Sequence, residues 1–228
     1  MRLATLLALL VAAILPSPAR AVDAAALAAE TPPKLLSAYG FFAGQGISAP
    51  AEGVRGFDLV TPLFSDRAIK TRHVYVPAGG KAKYLQSEAF DFPIGTALIK
   101  TFAYPADFRD PDRDVRLVET RLLVRQANGW KAFAYVWNEA QTDAELKPAG
   151  KRLLISFIDE AGEMVSFSYA VPNRNQCKGC HAINGEVTPI GPKARNLNRG
   201  SPDATGAGGT AINQLEAWVQ AGILDGLP

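Results

Sequence analysis

Val115-Arg116-Leu117-Val118-Glu119-Thr120-Arg121-Leu122-Leu123-Val124-Arg125 and Trp130-Lys131-Ala132-Phe133-Ala134-Tyr135-Val136-Trp137 flank the pair Asn128-Gly129. Both runs are rich in β-branched and aromatic residues, and Asn-Gly between two such runs is the strongest short hairpin signal in the chain. Working outward, Ala97 to Tyr104 reads as another strand. Thr71 to Val76 alternates weakly before Pro77-Ala78-Gly79-Gly80, a turn leading to Ala82-Lys83-Tyr84-Leu85. Arg152 to Ile158 and Met164 to Val171 form a further pair around Asp159-Glu160-Ala161-Gly162. About seven strands separated by turns argue for an antiparallel sandwich or a curled sheet over residues 22–171. Thr31 to Gly46 reads as a start with one short helix. Near the end, Asn213 caps a helix in which Glu216 falls three residues later, and Ile212, Leu215, Trp218, Val219 and Ile223 recur at helical spacing. Residues 200–210, mostly Gly, Ser, Ala, Pro and Thr, read as a loop.

The first 21 residues stand apart. Met1-Arg2 is a short positive start, Leu3 to Leu15 is almost wholly apolar, and Ala19-Arg20-Ala21 has the small-x-small form of a secretory cleavage site. Thirteen apolar residues are too few to span a bilayer comfortably, no second run is long enough, and no cysteine near the boundary marks a lipoprotein. The expectation is a signal peptide over 1–21, a mature chain from Val22 with no transmembrane segment, and a periplasmic location that leaves peripheral membrane contact open. Of 24 Lys+Arg, Arg2 and Arg20 leave with that segment. The remaining 22 balance 22 Asp+Glu, so the formal charge falls from +2 to 0. A net-basic surface for nucleic acid is therefore excluded.

The chemistry lies in Asn175-Gln176-Cys177-Lys178-Gly179-Cys180-His181, which holds both cysteines of the chain. A redox CxxC pair usually sits at the start of a βαβ unit, whereas this one is close to the C-terminus. A plain disulfide is the default for two cysteines in an exported protein. Zinc needs four ligands, and His73 would have to close the set from more than 100 residues away. The reading that uses all three residues is c-type haem attachment: Cys177 and Cys180 as covalent anchors and His181 as the proximal axial iron ligand. One covalent haem c, with its iron, is the expected cofactor. Downstream, Thr188-Pro189-Ile190-Gly191-Pro192 is stiff, and a carbonyl there would suit the Nδ1–H of the proximal imidazole. Lys193, Arg195 and Arg199 form a basic run that would meet a haem propionate or simply face solvent. No methionine or histidine follows His181. Met164 and His73 are accordingly the candidate distal ligands, beside an open iron position.

The pattern resembles a family of exported c-type cytochromes known as conserved hypothetical proteins, some of them dihaem. The resemblance covers Leu36-Ser37-Ala38-Tyr39-Gly40-Phe41-Phe42, Phe57 to Asp66, Phe92-Pro93-Ile94-Gly95-Thr96, Glu119 to Leu123 and Tyr135 to Ala144. It continues through Val171-Pro172-Asn173, the CxxCH run and Pro189 to Asn198. It implies haem binding and electron transfer. The single CxxCH departs from the dihaem members and removes any inference of passage between two haems. The expected fold is α+β, with a β-rich region over 22–171 and a small, mostly α/loop, cytochrome-c-like haem module over 172–228. The expected function is a periplasmic electron carrier or relay whose redox partner is a dehydrogenase or oxidase. The rivals are a peroxidase-like haem enzyme with an open distal site and a β-rich binding module with structural or sensory haem. Two polar patches, Asn138 to Asp143 and Ser65-Asp66 with Lys70, line the haem edge, bind a small molecule or close loops.

Overall fold

The computed structural model describes residues 21–205 and 209–228; the segment read as a signal peptide therefore lies, except for Ala21, outside the described residues. The architecture is α+β with several antiparallel sheets and a few short helices. Helix α1 (Ala24–Ala28) and a 3₁₀ turn (Leu36–Tyr39) precede the strands β1 (Val54–Gly56), β2 (Ile69–Tyr75), β3 (Ala97–Tyr104), β4 (Arg116–Gln126), β5 (Gly129–Trp137) and β6 (Ala144–Leu146). These six form one sheet in sequence order, each antiparallel to the next. Strands β7 (Lys151–Ile158) and β8 (Met164–Val171) pair as a separate hairpin. Then follow α2 (Arg174–His181), β9 (Ala182–Ile183), β10 (Glu186–Val187), α3 (Ala194–Leu197), β11 (Gly200–Thr205), β12 (Ala211–Asn213) and α4 (Gln214–Gln220).

The hairpin at Asn128-Gly129 closes one residue earlier than an Asn-Gly-centred turn would. Gln126 pairs with Gly129, so Ala127 and Asn128 are the central residues and Gly129 supplies the positive φ of 105° just after them. Within the expected loop 200–210, of which 206–208 lie outside the described residues, 200–205 form a strand, because Gly200 pairs with Asn213 and Thr205 with Ala211. Small polar residues carry no strand periodicity, and the pairing there is imposed by the neighbouring chain. Ala82 to Leu85 makes only isolated bridges, Ala82 to Leu224 and Lys83 to Asp91.

Period-two alternation gives the sheet two different faces. On one, Ile99, Leu122, Phe133 and Tyr135 pack under Leu27, Leu36, Tyr39 and Phe41 from the N-terminal segment. The other carries two apolar clusters. In the first, Val74, Val76 and Leu98 meet Leu197, Leu215, Trp218 and Leu224. In the second, Phe102, Tyr104, Ala134 and Val136 meet Phe157, Tyr169 and Val171 of the β7–β8 hairpin. The residues after Pro172 are thus not a clean helix-and-loop cytochrome module. Among the described residues they contain four short strands, and their apolar side chains share a core with the sheet. No helix among the described residues is long and apolar enough to cross a membrane.

Candidate functional site

Asn173 starts α2 with a capping box. Its side chain accepts from the Gln176 amide at 2.9 Å, while Gln176 Oε1 accepts from the Asn173 amide at 2.9 Å. The reciprocal cap offsets the roughly 1 kcal/mol that Gly179 costs inside a helix. Positions 177, 180 and 181 are i, i+3 and i+4, so both thiols and the imidazole share one face. Both cysteines are free thiols, Cys177 half-buried and Cys180 exposed. No side chain of α2 is fully buried. The helix lies over β5, where Ala132 and Ala134 permit close approach, and Cys177 borders a cleft of about 40 Å³ with Pro148 and Pro172. A groove of about 820 Å³ on the flank of α2 is lined by Phe90, Trp130, Arg174, Lys178 and Thr188, among others.

Immediately after α2 the chain folds back on itself. Ile183 pairs with Glu186, leaving Asn184 (φ 53°) and Gly185 (φ 84°) as a two-residue turn of the primed kind. That hairpin brings Thr188 against His181. The Thr188 amide donates to the His181 carbonyl at 2.7 Å, and His181 Nδ1 lies 3.1 Å from the Thr188 carbonyl oxygen. A carbonyl only accepts, so Nδ1 carries the proton and the lone pair is on Nε2. Burial holds the His181 pKa below its usual value against the opposing Thr188 bond, with Lys100 and Arg121 adding to the depression. Burial likewise pushes the Cys177 thiol up, Arg121 opposing it. Neutral imidazole with Nε2 free, beside two thiols on the same helix face, is a donor set that fits a covalently attached haem.

His73 is opposite Ile99, which is opposite Leu122, so it faces the N-terminal side of the sheet and packs edge-on against Phe42 at 5.1 Å. Lys100 and Arg121, the cations that act on His181, are on the opposite face. Burial lowers the His73 pKa, and its Nδ1 is buried without a partner. Met164 begins β8 and is 68% exposed. Among the described residues no group of three or more His, Cys, Asp or Glu converges to hold an isolated ion. The basic run has partners: Lys193 with Glu88 at 3.6 Å, Arg195 with the Ser87 carbonyl at 3.4 Å, and Arg199 with the Leu59 carbonyl at 3.0 Å. The polar patch after Trp137 closes a loop, since Asn138 and Thr142 bond each other, Gln141 accepts from the Leu117 amide, and Asp143 accepts from Ser37. In the second patch the Asp66 carbonyl accepts from Tyr104 and Lys70 donates to the Ala68 carbonyl.

A charged row between the two apolar clusters was not read from the sequence. Arg72 is opposite Lys100, and Lys100 is opposite Arg121. Glu119, fully buried, accepts from Arg121 and from the Tyr169 hydroxyl. The legible signal is a lysine at the centre of Ala97 to Tyr104, in which Thr101 is the one other polar residue besides the Tyr104 hydroxyl. No family model, curated protein or solved structure matches this chain.

Proposed function

We propose that the chain is a periplasmic c-type cytochrome carrying one covalent haem, with residues 172–228 as the haem-bearing segment. The observation that carries the reading is the His181–Thr188 pair, which fixes the imidazole tautomer beside Cys177 and Cys180. The thiols would hold the macrocycle and His181 Nε2 would donate to iron. When bound, the haem supplies a one-electron couple. Thr188 keeps the proton of His181 on Nδ1 and raises the basicity of Nε2. Arg121 and Lys100 would place positive charge near the iron and disfavour the ferric state. Electron transfer with a dehydrogenase or oxidase partner is the role we assign, and export follows from the segment before Val22.

A second reading, a haem enzyme with an open distal site, is favoured by one observation: His73 is on the sheet face opposite Lys100 and Arg121, the cations that act on His181. Absorption spectra of the haem-loaded protein with and without carbon monoxide separate the two. A low-spin spectrum unchanged by the gas supports the carrier. A high-spin, gas-binding spectrum overturns it in favour of the enzyme.

A further inference from the structure

We propose that the cross-strand row Arg72–Lys100–Arg121 is a built carboxylate site that takes the propionates of the haem held by Cys177 and Cys180; the inference rests on the covalent-haem reading above. Three cations directly opposed across three strands are unusual, because like charges at paired positions repel. The row is not on open surface. Arg72 is 5% exposed and Lys100 is half-buried. Each end has a carboxylate: Asp58 lies 3.1 Å from Arg72, and Glu119 accepts from Arg121. The centre has none. Among the described residues the Lys100 ammonium meets only the face of Phe102, 4.6 Å from the ring centroid, a face that Arg121 shares at 4.3 Å. Both flanking carboxylates have other partners, with Glu119 Oε2 alone left buried and unbonded. Glu119 also accepts from Tyr169, and Asp58 has Arg199 at 3.8 Å. Burial, with Arg72, Arg121 and Lys70 beside it and against the opposing pull of Glu119, brings the Lys100 pKa down to about 7. Among the described residues Glu119 alone supports this charge, and it makes no hydrogen bond to the ammonium.

Placement identifies the anion. Arg121 is the cation that acts on both Cys177 and His181. Neighbouring strands are about 4.8 Å apart, which puts Lys100 about 5 Å and Arg72 about 10 Å beyond Arg121, away from β5. In haem the two carboxylates leave the ring on the side away from the vinyl groups that react with thiols. Attachment over β5 and carboxylates over β3 and β2 is therefore the arrangement that satisfies both ends. The basic run at Lys193, Arg195 and Arg199 is already engaged.

The test compares Lys100→Met in two full-length backgrounds: the haem-loaded protein and the haem-free Cys177→Ser/Cys180→Ser chain. Covalent haem is first assayed in the parent. Without haem, removing Lys100 relieves repulsion and raises the melting temperature; with haem, it strips a propionate of its partner and lowers it, by about 3 °C in each direction. Lys100→Arg restores the haem-loaded value. A change of the same sign in both backgrounds, or none in the haem-loaded protein, overturns the propionate assignment while leaving covalent haem intact. Absence of covalent haem in the parent overturns both. Added succinate separates a free anion from the haem's own carboxylates. It should raise the melting temperature of the haem-free chain only, and an equal rise in the haem-loaded protein overturns the assignment. Should the haem-free chain not fold, infrared difference spectra of protein with ¹³C-labelled propionates give the same decision. A carboxylate band shifted by Lys100→Met supports the site, and an unmoved band overturns it.

Discussion

His181 and Thr188 hold each other twice: the Thr188 amide donates to the His181 carbonyl at 2.7 Å, and His181 Nδ1 donates to the Thr188 carbonyl at 3.1 Å. The first bond continues the β9–β10 ladder past its last pair. The second uses the geometry set by the first to orient a side chain. A two-residue turn thereby determines which ring nitrogen of His181 is available as a donor.

Gly185 makes that turn feasible, with φ at 84° and open space around a would-be Cβ. Gly185→Ala is expected to cost about 1 kcal/mol through the left-handed backbone alone. Urea unfolding of the two proteins measures it. The cost should fall on stability with little change in the unfolding slope, since the surface exposed is the same.

Lys100 gives the haem-free chain a distinctive pH profile. Its pKa is about 7 when folded against 10.5 as the ordinary value. The unfolded chain therefore binds more protons between these limits, and stability rises with pH across that window. The contribution is fully present above 10.5 and is lost as pH falls through 7. Arg72, Arg121 and Lys70 oppose the charge, and Glu119 supports it. Unfolding of the Cys177→Ser/Cys180→Ser chain between about pH 6 and about pH 10 should show this rise, and Lys100→Met should flatten it.

Glu119 is the buried anion that lets Arg121 lie between the apolar clusters. Glu119→Ala leaves Arg121 without its carboxylate and the Tyr169 hydroxyl without its acceptor. The expected loss is about 3–5 kcal/mol. Tyr169→Phe, which keeps the ion pair, should cost about 1–3 kcal/mol by chemical denaturation.

Trp218 ties α4 to the sheet side of the core, with Phe57, Phe90 and Phe92 around it at 5.6, 6.4 and 6.4 Å. Trp218→Ala is expected to destabilise by about 3–5 kcal/mol. Loss of one cooperative transition, followed by circular dichroism and tryptophan fluorescence together, would show that the C-terminal residues and the sheet unfold as a unit.

Long strands with strong alternation were legible from the residues. β3 and β8 have the expected bounds, and β4, β5 and β7 differ from expectation by a residue or so. α4 was legible through Asn213, whose side chain accepts from the Leu215 amide. What the residues hid was placement. Nothing local in Lys100, Arg121 or Arg72 says that three antiparallel strands align them, because register is set by the whole sheet. Residues 200–205 pair although their composition reads as a loop, and α2 forms around a glycine because Asn173 and Gln176 cap it. The Thr188 carbonyl illustrates the middle case. An acceptor for Nδ1 within Thr188 to Pro192 was expected, and the atom that serves is set by Asn184-Gly185, itself a hairpin signal.

The most direct test of the account is covalent attachment. The full chain is produced with c-type cytochrome maturation machinery, extracted with acidified acetone, and weighed intact. The account predicts that the haem stays with the polypeptide, at a mass increase of one haem, and that Cys177→Ser/Cys180→Ser abolishes it. Haem that extracts into acetone, or a chain that takes up none, would contradict it.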